Sequence, residues 1–378
     1  MDVMDVVKEI VNLTEEEVKN MDPINIMLIG KTGVGKSTLI NNIFRENLAE
    51  TGIGKPITKH LEKISKEGIP INLYDTRGLE LSEKVQKEVR DEVEQEIFNL
   101  DTYSSKEERL HLIWYCVNSG SQRLEPFEEE WVKDLATKLP VVIVLTQSLD
   151  TESSQKFKEY IESLELNVKG VLMLVAAPYR IGGHIIPSYG LAELVDLTIK
   201  IIPESAERAF INAQKVDIMV KANFAKKWAR GFITETFMVG FTPIPFADAP
   251  ILASSQIAMI AKITSIFGVS VNKAFITSIV SSAAGVSGAV FTGRAVVSNL
   301  LKLIPGAGTI VGGLISGGTA ALITTALAYA YINVMVKVAT YEYMEKRIEQ
   351  SEIVNMMRDE LKKQMTTLKK DKNSMKDK

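Results

Sequence analysis

Two patterns of apolar and polar positions divide the chain. From Asp22 to Pro203, short apolar runs rich in β-branched residues alternate with charged stretches that have helical spacing. This alternation is typical of an α/β domain with a mostly parallel sheet and helices on both faces. Six strands are predicted, from the segments INIMLI, HLEKISKEG, IPINLYD, HLIWYCV, VVIVLT and VLMLVAA. The second and third are predicted to pair antiparallel across the turn at Glu67–Gly68.

The pattern changes after Pro203, where glycine and alanine become frequent and charge becomes rare. Five segments are predicted: an amphipathic helix over 1–21, the α/β domain over 22–203, a connecting helix over 204–230, an all-α apolar domain over 231–345, and a charged helix with a lysine-rich tail over 346–378. Ala274–Gly293 carries no charge over 20 residues, and Leu303–Val336 carries none over 34.

The apolar stretches leave two interpretations open, a membrane hairpin and a bundle of helices that bury one another. A helix that spans a bilayer needs about 20 apolar residues. Ala274–Gly293 and Ile310–Ile332 both have that length. Arg294 and Lys302 in the connector, and the many Ser, Thr and Gly residues, argue against insertion. We expect contact with membrane lipid.

Charge and cysteine content narrow the possible functions. The net charge is −3 and the pI is about 5.9, so no basic field indicates nucleic acid as a partner. The single cysteine, Cys116, lies in an apolar run, which predicts a buried strand residue rather than a nucleophile. The amino-terminal stretch starts acidic and has no long apolar core, so a signal peptide is not expected.

Candidate chemistry begins between the first strand and the helix after it. The segment GKTGVGKS, from Gly30 to Ser37, fits G-x-x-x-x-G-K-[ST] at every fixed position and predicts a nucleoside triphosphate site. Glycines let main-chain N–H groups approach phosphates, and the helix N-terminus adds positive potential. Lys36 is predicted to bind the β- and γ-phosphates, and Ser37 to bind Mg²⁺. The predicted phosphate-binding residues are Gly30, Lys31, Thr32, Gly33, Val34, Gly35, Lys36, Ser37 and Thr38.

Two later segments supply predicted ligands of Mg²⁺ and the γ-phosphate. Asp75 ends the strand INLYD and can hold Mg²⁺ through a water, while Gly78 can donate its N–H to the γ-phosphate. Thr58, in the loop ETGIGKPITKH, is predicted to complete the Mg²⁺ shell, with Thr51 as its rival. The predicted catalytic set is Lys36, Thr58 and Gly78, and the predicted metal ligands are Ser37, Thr58 and Asp75.

The combination of GKTGVGKS, GKPIT and DTRG resembles the translation-factor-related class of GTPases, especially the Era-type G domain. The glycine loop is also similar to that of septin-like, AIG-type and immunity-related GTPases. The resemblance covers about Asp22 to Pro203. It implies GTP and GDP as ligands, Mg²⁺ as cofactor and GTP hydrolysis as the activity. The C-terminal part resembles an apolar helical domain of unknown function that is fused to Era-type G domains in bacteria. This implies a protein of the bacterial cytoplasm, associated with the inner membrane.

In this class a base-recognition motif, [NT]-K-x-D, follows the fifth strand, and its carboxylate accepts two N–H bonds from guanine. Here Thr146 matches the first position, Gln147 replaces the lysine, and Asp150 comes one residue late. If a bulge brings Asp150 into place, the site reads guanine; otherwise specificity comes from elsewhere. Ala177, in the final motif AAP, is expected to donate its N–H to guanine O6. The altered motif predicts weaker affinity.

Leu79 stands where Ras-like enzymes carry a water-orienting glutamine, so slow intrinsic hydrolysis is expected. Gly33 stands where some Era-type proteins carry an asparagine that recruits potassium. The leading interpretation is a GTPase switch that controls a membrane-associated helical module and is stimulated by self-association or by an effector protein. Two alternatives stay open: a soluble GTPase in ribosome or RNA biology, and a GTP-controlled membrane-remodelling or pore-forming effector.

Overall fold

A computed structural model of the chain describes residues 3–51, 53–76, 83–238, 248–268, 275–277, 279 and 317–376. The chain divides into two compact units. Met21–Asp217 forms one, here called the α/β unit, and Met1–Asn20 together with Ile218–Lys378 forms the other, here called the helical unit. Most of the apolar stretch Ala274–Gly293, and the first part of Leu303–Val336, lie outside the described residues.

The α/β unit is built around one sheet. Its strands are β1 (Ile24–Ile29), β2 (Ile53–Pro56), β3 (Leu61–Lys66), β4 (Ile69–Thr76), β5 (Leu112–Asn118), β6 (Val141–Thr146) and β7 (Gly170–Met173). Among the described residues the spatial order is β2-β3-β4-β1-β5-β6-β7. The β3 strand runs antiparallel to both of its neighbours, and all other pairs are parallel.

The six predicted strands are all present, and β2 adds a seventh at the edge next to β3. This corrects the prediction of a flexible loop over ETGIGKPITKH, since Ile53 to Pro56 pair with β3. The predicted hairpin between β3 and β4 is confirmed. Its turn contains Gly68 at φ 80, a conformation that glycine adopts without steric cost.

Helices pack on both faces of this sheet. They are α2 (Lys36–Ile43), α3 (Leu48–Thr51), α4 (Glu83–Thr102), α5 (Pro126–Lys138), α6 (Thr151–Ser163), α7 (Leu191–Ile201) and α8 (Glu204–Ala213). A small hairpin, β8 (Tyr179–Ile181) with β9 (His184–Ile186), precedes α7. Local sequence explains some boundaries: α5 begins at Pro126, and Glu125 and Glu128 form a reciprocal capping box there.

The core lies on both sides of the central strands. Successive residues of β5 point to opposite faces. Trp114 stacks on Phe44 with ring centroids 5.9 Å apart, and Tyr115 meets Trp131 edge-on at 6.1 Å. All residues of β1 and β6 are buried, as expected for parallel strands that helices cover on both faces. Burial raises the pKa of the Cys116 thiol to about 12, which agrees with its prediction as an unreactive strand residue.

The predicted single helix over 204–230 is two helices in the structure. The first, α8, belongs to the α/β unit, and the second, α9 (Ile218–Met238), begins the helical unit. The chain between α8 and α9 is hydrogen-bonded to the end of α2. Arg45 donates its main-chain N–H to Ala213 O at 2.9 Å, and Lys215 donates its main-chain N–H to Ile43 O at 2.8 Å. These backbone bonds end α8 where the sequence pattern would allow it to continue.

The helical unit contains α1 (Val3–Lys19), α9, α10 (Asp248–Phe267), α11 (Gly317–Tyr343) and α12 (Gln350–Lys376) among the described residues. The amphipathic pattern of α1 has a partner inside this unit, because α1 packs along α10. Val6, Val7 and Ile10 are buried. Lys262 of α10 also pairs with Glu17 of α1 at 2.5 Å.

Helix α11 is long and apolar, and it packs against α9, α10 and α12. Of the described residues, one stretch, Ala321–Tyr343, has the length and apolar composition needed to cross a bilayer, with a mean hydropathy of 1.5. In its most apolar part, 61% is buried within the protein. Its polar groups bond to α10: Tyr331 and Thr264 hydroxyls lie 2.6 Å apart, and Gln256 donates to Thr324 at 3.1 Å.

A half-buried histidine, His111, lies at the amino-terminal edge of the sheet. Asn25, the second residue of β1, donates its main-chain N–H to His111 Nδ1 at 3.0 Å. The Asn25 side chain donates to Glu107 O and Arg109 O. Partial burial lowers the pKa of His111 below its ordinary value of 6.5, because the charged imidazolium would lose contacts with water.

This arrangement predicts acid-sensitive stability. The folded state disfavours the proton on His111. The stabilisation that the neutral histidine gives the folded protein is therefore complete above the unfolded pKa of about 6.5, and it is lost as pH falls through the lowered folded pKa. We expect the free energy of unfolding to fall from pH 7.5 to 5. His111→Asn keeps an acceptor without a titration and should show a flatter dependence in urea unfolding. Equal slopes for the two proteins would contradict the assignment.

Candidate nucleotide site

The predicted phosphate-binding residues, 30–38, form one continuous loop and the start of α2 directly after β1. Gly33 and Gly35 have φ angles of 77° and 101°, in the region that favours glycine. A Cβ at Gly30 would lie 2.4 Å from the carbonyl oxygen of Cys116, so the loop runs against β5 without space for a side chain. The loop geometry therefore depends on glycine at each of these three positions.

Lys36 lies inside this loop. It is 7% exposed, and its ammonium donates to Gly30 O at 2.6 Å and approaches Lys31 O at 3.4 Å. The Asp75 carboxylate is 3.7 Å away. A buried ammonium held by carbonyl oxygens is already desolvated and has little further solvation to lose when a phosphate replaces these partners.

Asp75 comes to this position through the sheet. In the parallel pair of β1 and β4, Asp75 lies opposite Leu28, so it reaches the carboxyl edge where the phosphate loop begins. The next residue, Thr76, donates its hydroxyl to Leu28 O at 3.2 Å and fixes the end of β4. Asp75 is 8% exposed. Ser37 lies in the first turn of α2, so two of the three predicted Mg²⁺ ligands, Ser37 and Asp75, lie at this edge of the sheet.

Thr58 has a partner that the sequence does not predict. Its hydroxyl donates to the Glu92 carboxylate of α4, and the His60 N–H donates to the same oxygen at 3.1 Å. The Thr58 hydroxyl also accepts from Leu61 N at 3.1 Å. Leu61 pairs with Thr76, so this loop lies near the end of β4. To bind Mg²⁺ as predicted, the Thr58 hydroxyl must leave Glu92.

The γ-phosphate segment predicted around Gly78 lies outside the described residues, as does Leu79. The rival hydroxyl, Thr51, ends α3.

Ion pairs connect the phosphate loop to α5, and α5 to α4. Lys31 pairs with Glu128 of α5 at 3.2 Å, and the Glu128 side chain is 5% exposed. Arg90 of α4 lies 3.5 Å from Asp134 of α5, and Lys138 lies 3.3 Å from Glu94. Partly exposed pairs of this kind contribute little individually, but those between α4 and α5 form a network that joins the two helices.

Glu92 and Glu128 contact predicted site residues, and sequence reasoning missed both of them. Both lie in charged helices whose carboxylates would ordinarily face solvent. For Glu128 a signal existed, because Glu125-Pro126 followed by Glu128 is a helix-start pattern that turns Glu128 towards the start of α5. For Glu92 no local pattern distinguishes it from its neighbours.

Two of the residues predicted to bind the base, Thr146 and Gln147, contact the phosphate loop. Thr146 donates its hydroxyl to Val34 O at 2.5 Å, and Gln147 donates from Nε2 to Gly33 O at 3.0 Å. Both therefore support the loop itself. Ala177 follows the end of β7 and is half-buried. Asp150 is the N-cap of α6, a role that the sequence prediction did not include.

Comparison with known proteins identifies the class. Residues 25–147 match the family described as 50S ribosome-binding GTPase. Residues 213–363 match a domain of unknown function, DUF697. With the sheet topology and the phosphate loop, the first match defines a P-loop GTPase G domain, which uses GTP and GDP with Mg²⁺; a helical domain follows it.

The curated relatives match only part of this chain. The chain is 31% identical to the tRNA modification GTPase MnmE of Treponema denticola over 147 residues, 36% of this chain and 29% of the relative. It is 28% identical to Cell division control protein 10 of Saccharomyces cerevisiae over 171 residues, 37% of this chain and 51% of the relative. The chain thus covers about half or less of the relatives it matches.

A solved structure, the G domain of the T. maritima FeoB iron transporter, aligns with 47% of this chain and 98% of that chain, at 17% identity and a TM-score of 0.30. Because this similarity is low, the GTPase assignment rests on the family match and on the geometry of the phosphate loop.

Proposed function

We propose that the chain is a Mg²⁺-dependent GTPase switch of the Era type, in which GTP and GDP control the attachment of the helical unit to a membrane. The observation that carries the proposal is the buried Lys36 ammonium in the phosphate loop, 3.7 Å from Asp75. An ammonium for the β- and γ-phosphates and a carboxylate for Mg²⁺, together at the carboxyl edge of the sheet, suit a nucleoside triphosphate.

The hydrogen bonds of Thr58 support a switch. In this structure Glu92 holds its hydroxyl. A γ-phosphate with Mg²⁺ would compete for that hydroxyl and free Glu92, so the loop before β3 and helix α4 would change position together. Glu92 is nine residues into α4, and the segment around Gly78 leads into that helix. Loss of the phosphate would restore the bond to Glu92.

The covalent connections between the units support coupling. The chain leaves the helical unit between Asn20 and Met21 and returns to it between Asp217 and Ile218. The first connection leads into β1, and the second follows Lys215, which is bonded to the end of α2. Because β1 and α2 flank the phosphate loop, a movement of the loop reaches both connections.

The helical unit supplies the proposed membrane element. Ala321–Tyr343 has the length and composition of a spanning helix. In the structure α12 covers part of it with an apolar stripe, and the buried residues of that stripe are Ile353, Met357, Leu361 and Met365. The final residues, LKKDKNSMKDK, carry five lysines and two aspartates, a composition attracted to anionic lipid. Displacement of α12 would expose α11 to lipid.

The proposed location is the bacterial cytoplasm at the inner face of the cytoplasmic membrane, with lipid as one partner. Self-association or an effector protein is proposed to stimulate slow hydrolysis. Nucleic acid is not proposed as a partner, because the chain has a net charge of −3 and lacks the excess of basic residues typical of RNA-binding proteins. A role at the ribosome is therefore not favoured for this chain.

A vesicle flotation assay tests the proposal. The full chain would be mixed with phosphatidylethanolamine–phosphatidylglycerol vesicles and Mg²⁺, with GDP or a non-hydrolysable GTP analogue, and phosphate release from GTP would be followed with and without vesicles. We expect the floated fraction to differ at least about threefold between the two nucleotides. Lys36→Ala, which should not hold nucleotide, is the control and should show no difference.

The outcomes separate the parts of the proposal. An equal floated fraction in both nucleotides would refute the switch, and no flotation at all would refute the membrane role while leaving GTP hydrolysis to stand. A carbonate wash distinguishes an inserted helix, which stays bound, from peripheral attachment. Release of a dye trapped inside the vesicles would favour the pore-forming alternative.

A further inference from the structure

The loop after β6, residues 146–150, is fastened to the phosphate loop and to β7. Thr146 and Gln147 bond to the carbonyls of Val34 and Gly33 at 2.5 and 3.0 Å. Ser148 donates its N–H to Leu174 O at 3.1 Å. A base attached to a nucleotide in the phosphate loop would therefore lie against this loop and the residues after β7.

The carboxylate of this loop, Asp150, caps the start of α6. Asp150 is exposed at the start of α6 and accepts from Glu152 N at 3.1 Å, from Ser153 N at 3.3 Å and from the Ser153 hydroxyl at 2.6 Å. The hydrogen bonds from Ser153 lower the pKa of Asp150, so it stays charged and bound to the helix start. Both of its oxygens serve the first turn of α6.

Leu149 occupies the position before Asp150. Counted from Thr146, Leu149 is the fourth residue, and its side chain has no hydrogen-bond acceptor. Its N–H donates to Gln147 O at 2.7 Å, so the turn is tight. The remaining polar side chain, Ser148, is buried and donates to Leu145 O at 2.9 Å. Every polar side chain of residues 146–150 is thus bonded within the protein.

We infer that the base pocket recognises the 6-oxo group of a purine but not its 2-amino group, so that it binds inosine and guanine nucleotides equally well. The inference rests on the proposed function, because it assumes that a purine nucleotide occupies the phosphate loop. Guanine and hypoxanthine both present an acceptor at O6, which the N–H of the half-buried residue Ala177 is predicted to meet. Adenine presents a donor there and is disfavoured. Guanine alone has the 2-amino group, and its partner carboxylate is missing here.

The experiment compares the Kd values of GDP, inosine diphosphate and ADP for the full chain with Mg²⁺. For the unaltered protein we expect GDP and inosine diphosphate to agree within about threefold and ADP to bind roughly tenfold or more weakly, the value of one hydrogen bond to a charged or well-placed group. Asp150→Asn keeps a good helix cap and should leave the ratios of the three Kd values unchanged.

A gain-of-function variant sharpens the test. Leu149→Asp places a carboxylate at the fourth position and should raise the preference for GDP over inosine diphosphate by roughly tenfold or more, since a charged hydrogen bond to the 2-amino group becomes possible. Leu149→Ala is the matched control, because it removes the leucine without adding an acceptor, and it should not create the preference. Far-UV circular dichroism and thermal unfolding confirm that each variant is folded.

A preference for GDP over inosine diphosphate above about threefold in the unaltered protein would overturn the inference. If Asp150→Asn removed that preference, Asp150 would be the group that reads guanine. Absence of binding for all three diphosphates is a different result, because it would refute the proposed function as well.

Discussion

Replacing Lys36 by alanine is expected to reduce nucleotide affinity by about a hundredfold or more and to abolish GTP hydrolysis. The ammonium is predicted to bind two phosphates, and each hydrogen bond to a charged group is worth about 1.5–3 kcal/mol. In the structure this ammonium is buried and spans the loop from Gly30 O towards Asp75. Titration of a labelled, non-hydrolysable GTP analogue, which carries both phosphates, and measurement of phosphate release from GTP check the expectation.

Two variants control for charge and for general loss of a lysine. Lys36→Arg keeps the charge, but the planar guanidinium does not fit where the ammonium lies 2.6 Å from Gly30 O. We therefore expect nucleotide affinity to fall by about tenfold or more. Lys156→Ala removes an exposed lysine that pairs with Glu152 on α6 and should change neither affinity nor rate. Wild-type affinity in Lys36→Ala would refute the phosphate site and everything built on it.

Replacing Gly30 by alanine is expected to damage both stability and binding. The new Cβ would lie 2.4 Å from Cys116 O and 3.1 Å from Cys116 Cβ, so either the loop or β5 must move. Overpacking of this kind costs about 1–3 kcal/mol. Because the same shift displaces the N–H groups around the phosphates, GDP affinity should also fall roughly tenfold or more. Thermal unfolding and GDP titration of the full chain measure the two effects.

Gly68→Ala is the matched control for this variant. Gly68 also has a positive φ, 80°, but nothing lies within 4 Å of the added Cβ. It should therefore show only the backbone cost of the left-handed conformation, about 1 kcal/mol, with unchanged GDP affinity. A Gly30→Ala protein as stable as Gly68→Ala would show that the loop is not tightly packed on β5.

The features predicted well from the sequence are those determined by short-range pattern. The fixed spacing from Gly30 to Ser37 defines the loop, and unbroken apolar runs define β1, β5 and β6, because each feature depends on neighbours in the chain. The strand β2 was missed for the opposite reason. Its residues, IGKP, include glycine and proline, and only pairing with β3 makes them a strand.

The features that could not be predicted depend on distant partners. Thr58 bonds to Glu92, 34 residues away, and Thr146 bonds to Val34, 112 residues away. No local pattern marks such pairs. The break between α8 and α9 is similar, since main-chain bonds from Lys215 to the end of α2 end a helix that the sequence alone would extend. Local pattern thus predicts the phosphate loop, whereas tertiary contacts determine the hydrogen-bond partners of the residues around it.

The division of the chain has a consequence for synthesis on the ribosome. Helix α1 packs on α10, and the bond from Thr14 to Ala261 joins residues 247 positions apart. At about 5–20 residues per second, α1 emerges roughly ten seconds or more before its partner exists. During that interval the α/β unit can complete its own sheet while Val6, Val7 and Ile10 stay uncovered. Nascent chains paused before residue 248 should therefore be those most prone to aggregate or to recruit a chaperone.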